Sequence, residues 1–142
     1  MKLYQALKKK KELVGEITKL KQQIQSENSI MVGNERNYNP EDLMDKLMIK
    51  TEELVTLKEN IQKANLPILK DIYRLSELKA MMGFYSGIPT SHGKIKSYGD
   101  SEPTEYESFY KKADVDKVIN KCQAEISELQ EKLETFNYTT DL

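Results

Sequence analysis

Residues 115–136, VDKVINKCQAEISELQEKLETF, decide how this chain folds. Val115, Ile119, Cys122, Ile126, Leu129, Leu133 and Phe136 recur at steps of four and three without exception. That spacing is the heptad seam of a helix that packs on other helices. Burying each such side chain is worth about 1.5–3 kcal/mol, so the stripe predicts one face hidden from water. The helix is expected over residues 114–136, with Asp114 as its N-cap.

Toward the N-terminus the helical period returns three times. Leu3, Leu7, Val14, Ile17 and Ile24, with Leu13 and Leu20 beside them, predict a helix over residues 2–28. Lys10 and Lys21 take the remaining seam positions, tolerable where the stem lies on apolar surface and the head reaches water. Such a helix is roughly 40 Å long at ~1.5 Å per residue, too long for a compact fold unless another helix runs beside it. Gly33, Asn34, Asn37 and Asn39 read as the connecting loop, and Asn39-Pro40-Glu41-Asp42 as a helix start. Met44, Leu47, Leu54, Leu57 and Ile61, widened by Leu43, Ile49 and Val55, carry the second helix over residues 40–64. Pro67 breaks it. A third helix over 67–83 follows from Ile68, Leu69, Ile72, Leu75, Leu78 and Met82.

Residues 84–113 differ in kind. Gly87, Pro89, Gly93, Gly99 and Pro103 fall among Ser, Thr and Tyr, which predicts an irregular insertion or a small β-hairpin turning near Gly99-Asp100. The expectation is therefore one mainly all-α domain over 1–142, an antiparallel long-helix bundle or coiled coil carrying that insertion. The balance of 38% hydrophobic to 32% charged residues agrees, because ordinary globular domains run nearer 45–50% and about 25%. Excess charge suits long helices with wide wet faces.

The run from Ile126 to Leu142 resembles the C-terminal signature of a small bacterial family labelled septicolysin. That signature is a heptad helix closing in an Asn-aromatic-Thr-Thr-acid-Leu tail, here Asn137-Tyr138-Thr139-Thr140-Asp141-Leu142. Met1-Lys2-Leu3 followed by Ala6-Leu7, and the segment from Asn60 to Asn65, resemble the same family. Tyr138 stands where the family usually has Trp. The resemblance implies an α-helical, functionally uncharacterised protein. The family's label suggests a thiol-activated pore former, a function that does not transfer here, because the chain is short, has no Trp and sets Cys122 on the apolar seam.

Candidate chemistry is sparse. His92, the sole histidine, reads as an exposed loop residue, since a general base needs a nucleophile and an orienting group beside it. Cys122 reads as a small core hydrophobe, because a reactive thiol needs an electropositive, accessible setting. Glu41, Asp42 and Asp45 read as helix-start charges rather than metal ligands. No His-x-x-x-His or Cys-x-x-Cys pair and no glycine-rich phosphate loop occurs, so neither metal nor cofactor is expected. Lys8 to Lys11 point to different sides of a helix, and the net charge is −1, so nucleic-acid binding is disfavoured. No apolar run approaches a bilayer span, and Met1-Lys2-Leu3-Tyr4 leads straight into charge, which predicts no secretory leader, no membrane insertion and a cytoplasmic chain.

Tyr85, Tyr98, Tyr106, Phe109 and Tyr110 are the candidate interaction surface, because aromatics with a polar tip favour contact sites; the competing reading, which the sequence favours, is that the tyrosines cap the helical core as a minor hydrophobic cluster. The seam Val115–Phe136 is the candidate core or oligomer contact. Together they predict a non-enzymatic, homo-oligomeric coiled-coil protein with a structural or protein-interaction role. The alternatives are a small-ligand binder or enzyme using His92, Tyr106 and Tyr110 beside residues 86–113, and a weak nucleic-acid binder using Lys8–Lys11.

Overall fold

A computed structural model describes residues 1–142. Helix makes up 71% of the chain, and a two-stranded sheet is its only sheet, so the fold is mainly all-α with a small hairpin insertion. The elements are α1 (Leu3–Asn28), α2 (Pro40–Asn65), a 3-10 turn (Leu66–Ile68), α3 (Leu69–Ser86), β1 (Gly93–Ile95), β2 (Thr104–Tyr106) and α4 (Lys112–Thr139). The chain divides into two compact units. One comprises Met1–Pro67 with Thr135–Leu142, the other Ile68–Glu134.

In the first unit α1 and α2 form an antiparallel pair, pinned midway by Lys50 Nζ, which lies 3.3 Å from Glu16. The hydrogen bond and charge of Glu16, with Glu53 at 3.6 Å, hold the Lys50 ammonium above its usual pKa. The inward line of α1 is Leu3, Ala6, Lys10, Leu13, Ile17, Leu20, Ile24 and Glu27, every one buried or half-buried. That of α2 is Leu43, Leu47, Lys50, Leu54, Leu57, Ile61 and Ala64. Both keep strict steps of three and four. The best-buried cluster, Leu3, Ala6, Leu13, Leu57 and Ile61, sits toward one end with Phe136 packed against it. Val14 and Met44, expected on the inward stripes, lie outside them and are 44% and 46% exposed. The apolar residues alone misplace the lines because Lys10, Lys50 and Glu27 interrupt them.

The loop between α1 and α2 is held by polar groups. Buried Glu27 accepts the Asn37 backbone N–H at 3.0 Å through its carboxylate. Arg36 donates to the backbone carbonyls of Glu27 (2.7 Å) and Asn28 (3.1 Å), capping the end of α1. Asn39 caps α2 as expected, its side chain accepting the Glu41 N–H at 2.9 Å, with Pro40 in the first turn.

The tail that carries the family resemblance closes on the chain's own beginning. Leu3 N–H donates to the Thr140 carbonyl at 2.8 Å, and Leu142 N–H to that of Met1 at 2.9 Å. The Tyr138 ring sits 4.6 Å from that of Tyr4. Lys2 Nζ lies 2.9 Å from Asp141, and this hydrogen-bonded ammonium holds the Asp141 carboxyl below its usual pKa.

In the second unit α3 and α4 run antiparallel. Asp71 meets Lys132 at 2.7 Å near one end, and Cys122 Sγ donates to the Leu78 carbonyl at 3.4 Å further along. Boundaries differ from expectation, and α3 itself begins at Leu69, after the 3-10 turn, and not at residue 67. Helix α3 continues past Gly83 to Ser86, because the helix interior tolerates one glycine for ~1 kcal/mol and Tyr85 is half-buried on the next turn. Helix α4 begins at Lys112, two residues early. Asp114 therefore sits in its first turn, not as N-cap, and its carboxylate reaches back to the Lys111 N–H at 3.0 Å. At its other end α4 runs on to Thr139, where the Thr139 hydroxyl donates to the Thr135 carbonyl at 2.9 Å. The hairpin pairs Gly93 with Tyr106 and Ile95 with Thr104, and turns at Ser97–Asp100 with Gly99 at φ +88°. Glycine adopts that conformation without strain.

Candidate interaction surface

The α4 seam is shielded from water, fully or in part, at every position. Val115, Cys122 and Ile126 are buried, and Ile119, Leu129, Leu133 and Phe136 are half-buried. Those side chains are consumed within the chain. Cys122 is buried and its thiol is engaged by the Leu78 carbonyl, so it lacks the exposure of a reactive thiol.

The insertion brings four of the five predicted aromatics to one region of the second unit. A cavity of about 340 Å³ lies between the end of α3 and the start of α4, walled by Phe84, Tyr85, Ile88, Tyr110, Val115 and Val118. Asp114 is the one charged residue at its edge. Ile88 and Tyr110 also wall a second hollow of about 320 Å³ with Pro89, Tyr106 and Phe109. Tyr85 and Val118 continue into a groove beside Leu78, Met81 and Cys122. Sharing these walls, the three make one trough whose lining is mostly apolar but includes Glu107, Asp114, Lys121 and Glu125. Phe109 meets Tyr110 edge-on at 4.9 Å, and the Ser108 hydroxyl donates to the Tyr110 carbonyl, so this corner is ordered by its own contacts. Phe109 and Phe84 are 88% and 63% exposed, a large unshielded apolar load. Tyr98 does not join them, projecting from the hairpin turn fully into water.

His92 lines neither hollow. Its Nδ1 accepts the Ser108 backbone N–H at 3.1 Å, which gives the ring a structural task beside β2. Of the residues named for an enzymatic site, Tyr106 and Tyr110 line the trough and His92 does not. Glu41, Asp42 and Asp45 occupy the first turns of α2, and no three acidic, His or Cys side chains gather into a metal-binding group. Of the Lys8–Lys11 run, Lys10 is half-buried on the α1 seam and the other three are exposed.

Sequence reasoning missed a second surface. On α2 the residues Met44, Met48 and Val55 are 46%, 65% and 54% exposed and share one side of the helix, turned away from α1. Their spacing of four and seven was a legible signal, masked because Met44 and Val55 had been assigned to the inward stripe. Ile49, 60% exposed, lies in a shallow groove with Lys9, Thr56 and Met48, so Met48 borders that groove as well as the outer stripe. No helix is long and apolar enough to cross a membrane. Comparison with known protein families, curated proteins and solved structures returns no match.

Proposed function

We infer that this protein acts by binding protein, as a self-associating coiled-coil component with a structural or scaffolding role, and not by catalysing a reaction. The observation that carries this reading is the distribution of unburied apolar side chains. The α4 seam is satisfied internally, whereas the outer side of α2 and the aromatic trough keep large apolar groups in water. Apolar surface grouped in this way gains free energy when another protein covers it. The trough serves the same reading, since partly exposed Phe and Tyr around a concave floor are the side chains that anchor protein contacts.

Sedimentation velocity across low to high micromolar concentrations tests it. The expected result is a dimer or larger species whose share grows with concentration. A folded chain that stays monomeric over the whole range contradicts it.

A further inference from the structure

The exposed side of α2 carries a second heptad register, independent of the one facing α1. Glu41, Met44, Met48, Thr51, Val55 and Lys58 follow steps of three and four, and all six are exposed. Four apolar or small residues lie in the middle, an acid stands at the N-terminal end and a base at the C-terminal end. The Thr51 hydroxyl donates to the Leu47 carbonyl at 2.7 Å, so covering Thr51 strands no polar group. Neither Glu41 nor Lys58 takes part in an ion pair within the chain.

Resting on the self-association reading above, we propose that this stripe docks a second copy of the chain, α2 against α2, antiparallel about a two-fold axis. The stripe is complementary to itself in one register only. Turned end for end, Met44 meets Val55 of the second copy, Met48 meets its Thr51, and Glu41 meets its Lys58. Two-fold symmetry repeats each contact, giving four apolar layers closed at both ends by opposite charges. These are the layers an antiparallel heptad pair makes, and the same alternation joins α1 to α2 within the chain. A parallel arrangement stacks Glu41 on Glu41 and Lys58 on Lys58, and like charges in register oppose pairing.

Charge reversal reads this register directly. Glu41→Lys and Lys58→Glu each put like charges at both ends of the interface, and each is expected to weaken dimerisation on the order of tenfold in low salt. The double variant Glu41→Lys/Lys58→Glu restores opposite charges and is expected to regain wild-type affinity. Simple damage to the fold cannot give that recovery. Met48→Asp, at an exposed position that leaves helix content intact, is expected to weaken the dimer by roughly a hundredfold. Mixing Met44→Cys chains with Val55→Cys chains under mild oxidation is expected to give the mixed disulfide.

Three results overturn the proposal: a double variant weaker than either single one, Met44→Cys chains linking to one another, or a Met48→Asp dimer of unchanged affinity. In the last case the protein still self-associates, so only the α2 interface falls. A wild-type monomer removes the functional reading as well.

Discussion

Leu3→Ala is expected to remove about 2–5 kcal/mol from the unfolding free energy, seen as a lower urea midpoint at unchanged slope. Leu3 is the largest fully buried side chain, at 0% exposure. It belongs to the cluster with Ala6, Leu13, Leu57 and Ile61, and Phe136 packs on that cluster. Truncation costs both the lost transfer energy and the cavity left behind, and the second term depends on how far the walls can close in. Here they are tied. The Leu3 N–H is fixed to Thr140, and the neighbouring Lys2 backbone N–H donates to the Gln5 side chain at 2.8 Å. The upper half of the range is therefore expected. A loss under about 1 kcal/mol shows that the tail and α1 do not pack as described.

The second large effect belongs to the α4 seam. Ile126 is 4% exposed, and aspartate there buries a charge with no partner, which costs about 3–5 kcal/mol in comparable sites. The adjacent Ser127 is exposed, so Ser127→Asp on the same helix turn is expected to change stability by no more than about 0.5 kcal/mol. The two variants differ by one residue of position and by the face they occupy. Chemical denaturation that finds them equally stable contradicts the placement of the seam.

The α4 helix was legible because its seam is apolar at every position, so spacing alone identifies the face. The first two helices were legible as elements and less so as faces. Lys10, Glu27 and Lys50 sit on the inward lines, and a reading that follows only greasy residues steps sideways around them, onto Val14 and Met44. Charged side chains hold those places through groups distant in sequence, such as Glu16 for Lys50 and the Asn37 backbone for Glu27. The same sidestep hid the outer stripe of α2. The aromatic cluster was legible in composition, but not which members meet, since that depends on where α3 stops. Tyr85 joins the trough only because α3 runs on through Gly83.

Two stripes divide the labour in this proposal, one on α4 packed within the chain and one on α2 exposed and proposed to dock another copy. Backbone amide hydrogen exchange at low and high protein concentration separates them, because association slows exchange only where it stabilises structure. Amides across Met44–Lys58 are expected to exchange more slowly as concentration rises, while those of Ile119–Leu133 stay equally protected throughout. Protection that rises with concentration along α4 and stays flat along α2 contradicts the account.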